Sequence, residues 1–178
     1  MRDGMRPFTF ETSVSVSSAA PPETVFEVVS DLPAHLVWSG ERAKDQTFKL
    51  LDLESDEDRV RVGTTFRTTG ANFNGTFHDR SVVDEVERPS RLVIETEASL
   101  ERKRGATWNV DFRHTYDIRP EGSGSRITYT DAIWRVNYVP YWLQPWLRPI
   151  TRMVIHSGDT KQLTNLARLA EERHAGPS

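Results

Sequence analysis

One stretch of alternating residues combines a histidine with aromatic side chains, and such a combination can perform acid–base chemistry in an apolar setting. Over residues 108–118, Trp, Val, Phe, His, Tyr and Ile alternate with polar residues. Because successive side chains of a strand point to opposite faces, His114 shares its face with Phe112 and Tyr116. Histidine titrates near neutral pH, so His114 is a candidate proton donor or acceptor inside a ligand cavity. The alternative is a core histidine that is hydrogen-bonded to a tyrosine hydroxyl or a carbonyl.

The next predicted strand places a carboxylate on an otherwise apolar face. Within residues 127–133, Tyr129 and Asp131 alternate in phase with two isoleucines. If this face points inward, Asp131 is buried and must be paired, hydrogen-bonded or protonated. A β-bulge that turns Asp131 into solvent is an equally good interpretation. Arg80 and Arg135 are both possible partners.

These two strands and the C-terminal segment supply the candidate site residues. For an enzyme, the catalytic candidates are His114, Tyr116 and Asp131, as proton-transfer or enolate-stabilising groups. For ligand binding, an apolar lining supplies affinity while one or two polar groups fix the orientation. The predicted wall consists of Trp108, Phe112, His114, Tyr116, Tyr129, Ile150, Met153 and Val154.

Composition and motifs exclude several other chemistries. The chain has 178 residues and no cysteine, which removes thiol nucleophiles, disulfides, iron–sulfur clusters and thiolate zinc sites. The five histidines lack metal-binding spacing, and no glycine-rich phosphate-binding motif occurs. We therefore expect no metal and no cofactor. A net charge of −3 provides no basic footprint for nucleic acid.

Length and hydropathy indicate the organisation of the chain. A chain of 178 residues favours one domain, here 1–178, and no repeat or linker divides it. No apolar run approaches the roughly 20 residues that span a bilayer. The first eleven residues are charged and lack the apolar core of a secretory signal. The sequence therefore predicts a cytoplasmic protein.

The remaining patterns predict the elements that must position the candidate residues. A first strand ends at Pro21-Pro22 and is followed by a helix over 23–29 and a short second helix through Trp38. Turn residues then separate six strands, which we expect to form an antiparallel meander. Their predicted ranges are 47–53, 64–69, 76–87, 91–99, 107–119 and 125–135. The strand over 76–87 has polar groups on both faces, so the sequence does not decide which face points inward. His78 and Arg80 are expected at the rim of the cavity or on the surface.

The last forty residues are predicted to be helical, with one change of phase. Apolar residues between 143 and 154 repeat at helical spacing, and those between 163 and 170 form a second stripe on nearly the opposite side. The phase changes near 157–159, where Asp159 followed by Gln162 fits a capping box. A kink or a restart of the helix is therefore predicted near Gly158.

Four segments carry a resemblance to a known superfamily. They are residues 16–40, with Ala-Pro, a Val-Phe helix, Asp-Leu and Trp in order, and residues 62–67, 83–93 and 114–129. These segments resemble the polyketide cyclase/START-like superfamily (SRPBCC, Bet v 1-like), which would place the core of a START-like domain over about 8–173. The resemblance implies an α+β helix-grip fold. In that fold a curved antiparallel sheet of about seven strands surrounds a long C-terminal helix, with two short helices after strand one and a hydrophobic cavity inside.

The resemblance also gives meaning to the aromatic connector before the long helix. It implies that Tyr138, Tyr141, Trp142 and Trp146 lie at the cavity mouth. One interpretation is a stiff connector whose aromatic rings close the core. The other is a gate, or a patch that contacts a membrane, since Tyr and Trp suit the bilayer interface.

The predicted function is binding of a hydrophobic small molecule (lipid, isoprenoid or polyketide-like) by a non-catalytic carrier or sensor. The alternative is an enzyme of the polyketide cyclase/dehydratase type that uses polar cavity residues. A weaker alternative is a protein-interaction module that docks through the aromatic connector. An entirely apolar cavity favours the carrier, and a His–Asp or Tyr–Asp hydrogen bond inside it favours the enzyme. Membrane contact and the oligomeric state are left open.

Overall fold

Seven strands form one antiparallel sheet in the order β1-β7-β6-β5-β4-β3-β2. The computed structural model describes residues 9–43, 48–105, 107–136 and 141–176. The predicted meander is confirmed, because each strand after the second pairs with the one before it. The strands are β1 Phe10–Ser18, β2 Phe48–Ser55, β3 Thr65–Asn72, β4 Gly75–Glu87, β5 Arg91–Arg102, β6 Trp108–Glu121 and β7 Gly124–Val136.

Three helices complete the helix-grip arrangement of the α+β fold. Two short helices follow β1, and the first begins with a proline at a position where a missing N–H costs nothing. No helix in the described ranges is long and apolar enough to cross a membrane. The helices are α1 Pro22–Val29, α2 Leu32–His35 and α3 Gln144–Ala175, with a π-helical turn at Leu36–Gly40 and 3₁₀ turns at Glu41–Ala43 and Tyr141–Leu143.

The register of the three strands at one side of the sheet positions the candidate polar residues. β1 lies beside β7, and Thr12 is paired with Asp131. Across the next ladder Asp131 is paired with His114 of β6. Residues directly opposite each other in neighbouring strands point to the same face. Thr12, Asp131 and His114 are therefore side by side on one face of the sheet.

The main hydrophobic core lies between this sheet, α1 and the C-terminal half of α3. Leu163 and Leu166 of α3 are 3% and 0% exposed and pack with Phe26 of α1 and Ile127 of β7. The apolar stripe predicted over 163–170 is therefore the buried face of α3.

The N-terminal half of α3 differs from the prediction. The helix runs without interruption through Gly158, so the predicted restart at this point is wrong. Its first stripe is not a second core face, since Trp146, Ile150 and Met153 are 75%, 58% and 68% exposed. A change of apolar phase leaves the backbone hydrogen bonds of a helix intact. Here it marks the point where α3 leaves the packed core.

Leu166 tests the importance of this core. We expect Leu166→Ala to lower the free energy of unfolding by about 2–5 kcal/mol, because it leaves a cavity in a fully buried site. The matched control is Leu51→Ala on β2, a residue that is 51% exposed, with an expected loss of about 0.5 kcal/mol or less. Urea denaturation followed by circular dichroism measures both. Equal losses would contradict the assignment of α3 to the core.

Candidate functional site

A cavity of about 320 Å³ is lined by strands β2–β7, helix α2, the π-helical turn and helix α3. Its lining is mainly apolar and aromatic, with a minority of polar groups, as expected of small-molecule sites. Five of the predicted wall residues line it: Phe112, His114, Tyr116, Tyr129 and Val154.

Three predicted wall residues lie elsewhere. Ile150 and Met153 are exposed and are not among the residues that line the cavity. They are three positions apart on α3, so they share a side of the helix, and that side faces solvent. Trp108, the first residue of β6, lies beneath the guanidinium of Arg102, with 4.4 Å between the guanidinium carbon and the ring centroid.

The two tryptophans of the aromatic connector do not close the core. Trp142 and Trp146 are 71% and 75% exposed, and neither is among the cavity-lining residues. The interpretation as core-closing rings is therefore wrong for these two residues. Tyr138 and the side chain of Tyr141 lie outside the described residues.

Asp131 points into the cavity, so the interpretation as a solvent-exposed bulge is wrong. The residue is 5% exposed and lines the cavity, and the pairing of β1 with β7 runs unbroken past it. The charged group that it contacts is His114, at 3.1 Å between Oδ1 and Nδ1. Arg80 is exposed, and the side chain of Arg135 lies outside the described residues.

His114 is held in place by its neighbours on three sides. Its Nδ1 shares a hydrogen bond of 2.7 Å with the Tyr129 hydroxyl. The imidazole is nearly parallel to the rings of Phe112 and Tyr129, at interplanar angles of 16° and 12°. Oδ1 of Asp131 accepts no hydrogen bond of good geometry from the described residues, so its contact with His114 is ionic in character. No described residue is hydrogen-bonded to Nε2, which leaves this atom available to a ligand.

The environment of this cluster shifts the pKa values of its histidine and its two tyrosines. Burial lowers the pKa of His114, but the interaction with Asp131, together with the charges of Asp159 and Asp79, outweighs burial and raises the pKa above its usual value. Burial raises the pKa of Tyr116 and of Tyr129, so both hydroxyls stay protonated and can donate hydrogen bonds. The cluster thus combines a proton acceptor with neutral donors.

Two further carboxyl groups line the cavity, and the sequence reasoning did not include them among the site residues. Asp79 of β4 accepts a hydrogen bond of 3.2 Å from Thr68, and Asp159 of α3 accepts one of 3.1 Å from Thr12. Burial raises the pKa of Asp79 to about 6. Burial, together with the charge of Asp131, raises the pKa of Asp159 to about 7. Both groups therefore exchange protons near neutral pH.

The signals for these two carboxyl groups were present but ambiguous. Asp79 lies between Phe77 and Ser81 on one face of β4, and all three line the cavity. His78 and Arg80 are exposed, as expected from the sequence. An alternation of Phe, Asp and Ser does not identify an inward face by itself. Asp159 fitted a helix cap, although it lies in the middle of α3.

The second buried histidine is a structural one. His35 Nε2 lies 2.8 Å from the backbone carbonyl oxygen of Val29. Burial lowers the pKa of His35, so the ring stays neutral and donates this hydrogen bond. Nearby, Nε1 of Trp38 is buried in the cavity wall and has no described hydrogen-bond acceptor. Among the residues the structure describes, no group of three or more acidic or histidine side chains could hold a metal ion.

A curved sheet that grips a long helix around a partly polar cavity defines the helix-grip class of proteins. The family described as polyketide cyclase / dehydrase and lipid transport matches residues 9–171. The chain therefore belongs to this family. No curated protein matches the chain in sequence.

Solved structures share this fold at low sequence identity. A protein from Rhizobium leguminosarum is 18% identical, with a TM-score of 0.64 over 94% of this chain and 99% of that one. TTHA0849 from Thermus thermophilus is 18% identical, with a TM-score of 0.63 over 94% and 100%. DynU16, from the dynemicin biosynthetic locus, is 19% identical, with a TM-score of 0.55 over 92% of this chain and 48% of that one. These similarities define the fold alone.

The influence of Asp131 on His114 can be measured directly. We expect Asp131→Asn to lower the pKa of His114, because the strongest interaction that opposes burial is removed while the weaker ones with Asp159 and Asp79 remain. NMR titration of the labelled imidazole measures the change. Asp84→Asn, at an exposed position that is ion-paired with Arg113, is the control and should leave the titration unchanged. An unshifted midpoint in Asp131→Asn would contradict the charge coupling.

Asp159 makes the stability of the protein depend on pH. Its pKa is raised from 3.8 to about 7 on folding, so between these values the folded state holds a proton that the unfolded state has lost. Stability therefore falls as the pH rises through this window. We expect Asp159→Asn to be more stable than wild type at about pH 8, with a smaller difference at about pH 5.

Thermal unfolding across this range measures the effect of Asp159, and the control is Asp56→Asn in the exposed turn after β2. The control should follow the wild-type curve at every pH. A constant difference between Asp159→Asn and wild type would show that Asp159 does not titrate in this window.

Proposed function

We propose that the protein is an enzyme that binds a hydrophobic carbonyl compound in this cavity and transfers a proton at the carbon next to the carbonyl. The observation that carries the proposal is the contact between His114 and Asp131 at the wall of the cavity. A carrier needs no positioned acid–base pair, whereas proton abstraction requires one. The description of the family names cyclase and dehydrase activity, which supports the same reaction class, and also lipid transport, which suits a carrier.

The geometry supports a specific role for each residue. When Nδ1 carries the proton, it donates a hydrogen bond to the Tyr129 hydroxyl oxygen, and the nearby carboxylate of Asp131 stabilises the imidazolium that forms later. Nε2 of His114 then accepts the proton from the α-carbon, and the electron pair of the broken C–H bond moves to the carbonyl oxygen. The neutral hydroxyl of Tyr116 can donate a hydrogen bond to the resulting enolate oxygen.

A second proton transfer completes the reaction. In a cyclisation, the enolate carbon forms a bond to a second carbonyl carbon of the same substrate, the electron pair of that C=O bond moves to its oxygen, and this alkoxide takes the proton. In a dehydration, the enolate expels a β-hydroxyl group, which leaves as water after it receives a proton. Asp159 suits this role because its pKa of about 7 keeps part of the carboxyl groups protonated at neutral pH. His114 and Asp159 then return to their starting states by exchanging protons with solvent.

A non-catalytic carrier is the second candidate function. It is favoured by the aromatic part of the lining, which includes Phe66, Phe77 and Phe112. These rings would hold a lipid or an aromatic compound without any chemical step.

Deuterium exchange distinguishes the two candidates. The probe is 2-tetralone, a neutral bicyclic ketone, in deuterated buffer, with α-deuterium uptake followed by mass spectrometry. We expect wild type to accelerate uptake over buffer and His114→Gln to lose about 10²–10⁴ of that acceleration. The matched control is His78→Gln, on the exposed face of β4, which should retain wild-type activity.

The pH profile of the same reaction tests the role of Asp131. The rate should rise as the pH increases through the pKa of His114, and Asp131→Asn should move this rise to lower pH. Probe binding without exchange in wild type would contradict proton transfer and would favour the carrier.

A further inference from the structure

The charged groups in the cavity wall are unbalanced. Three aspartates line it from three elements, namely Asp79 of β4, Asp131 of β7 and Asp159 of α3. None of the lining residues in the described part of the chain is a lysine or an arginine. The two basic groups are histidines, and burial keeps His35 neutral. With His114 charged, its ion pair with Asp131 is neutral, which leaves two acidic groups without a basic counterpart in the wall.

The three carboxyl groups also retain unfilled hydrogen-bonding capacity. Asp79 and Asp159 each accept one hydrogen bond, from Thr68 and Thr12 respectively. Oδ1 of Asp79 is buried and accepts none from the described residues, and the same holds for Oδ1 of Asp131, a residue that is only 5% exposed. A buried acceptor without a donor costs free energy. A positive charge inside the cavity would offset this cost without touching these oxygens directly.

Aromatic rings surround the same space. Phe77, Phe112 and Tyr116 line the cavity. Phe77 lies on β4 together with Asp79. The other two lie on β6, the strand that pairs with the one that carries Asp131. The face of an aromatic ring attracts a cation, most strongly where water is excluded. Carboxylates next to aromatic rings therefore form an environment that suits a positive charge on an apolar skeleton.

We propose that the ligand of this cavity carries a protonated nitrogen on an apolar skeleton, and that Asp79, Asp131 and Asp159 select it against carboxylates of the same shape. The inference rests on the proposed function in that the same cavity holds the ligand, and it adds the class of substrate. A carboxylate ligand would meet like charges, because the positive charge of His114 in the described wall is already paired with Asp131.

The selection depends on pH in a defined direction. Raising the pH ionises Asp79 and Asp159, whose pKa values of about 6 and about 7 reflect burial. Raising the pH also removes the positive charge of His114, which faces them from β6 and whose pKa is raised above its usual value. The other ionisable groups of the wall are Asp131 on β7, the neutral His35 on α2, and Tyr116 and Tyr129, whose hydroxyls stay protonated. Both changes make the cavity more negative, so a cation binds more tightly at higher pH.

Three probes of one shape test the proposal. They are tetralin bearing an amine, a hydroxyl or a carboxylic acid at carbon 2, titrated into wild-type protein by isothermal calorimetry at about pH 6, 7 and 8. We expect the amine to bind about tenfold more tightly than the alcohol, with an affinity that rises several-fold across this range. The acid should show no saturable binding. Equal or tighter binding of the alcohol or the acid would overturn the proposal.

Asp→Asn variants, which keep the shape of the side chain and remove its charge, test whether the cavity aspartates cause the selectivity. Asp159→Asn should weaken amine binding about tenfold and leave alcohol binding unchanged, and the retained alcohol binding shows that the variant is folded. Asp79→Asn is a second, independent variant with the same expected result. Asp56→Asn removes an equal charge from an exposed turn and should alter neither affinity. Unchanged amine affinity in both cavity variants would overturn the proposal.

This test is independent of the exchange reaction. Amine selectivity in a protein that does not exchange 2-tetralone would refute the proton transfer and support the ligand class. Exchange that depends on His114, without preference for the amine, would refute the ligand class and support the proton transfer.

Discussion

A carboxylate that is buried beside an apolar cavity is stable only when a neighbouring group compensates its charge. For Asp131 that group is the imidazole of His114, one strand away and 3.1 Å distant. The antiparallel register of β6 and β7 brings the two residues opposite each other, so the sheet itself fixes the pair. The raised pKa of His114 depends on this placement, and the charge of Asp131 adds to burial in keeping the neighbouring tyrosine hydroxyls protonated. A shift of one residue in the register would turn either group to the outer face.

The fold could be predicted because its determinants are local. Gly, Pro, Ser and Asn mark the turns, and alternation marks the strands, so the predicted strand over 91–99 corresponds to β5 at Arg91–Arg102. The buried stripe of α3 was visible because Leu163 and Leu166 have helical spacing. The exposed stripe from Trp146 to Met153 has the same spacing, and spacing alone does not say what a helix face meets.

The site could be predicted only in part, since it depends on contacts between distant segments. His114 attracted attention as a polar residue among aromatic neighbours, and it does line the cavity. Asp79 and Asp159 were not predicted as site residues. Asp79 lies on a strand with polar residues on both faces, and Asp159 fitted the spacing of a helix cap. Their environment is set by Thr68 and Thr12, and the Thr12–Asp159 hydrogen bond joins residues 147 positions apart. No local pattern encodes such a pairing.

The proposed proton transfer and the proposed ligand class are linked by the negative charge of the cavity wall. Asp131, Asp159 and Asp79 together raise the pKa of His114, so at any given pH they reduce the fraction of rings that is neutral and can act as a base. A cationic ligand placed among these carboxylates would screen their effect and disfavour the imidazolium. The pKa of His114 would then fall, and a larger fraction of the rings would be neutral when the substrate is in place. The three aspartates that select the ligand would then also raise the pKa of His114 until a cationic ligand binds and lowers it.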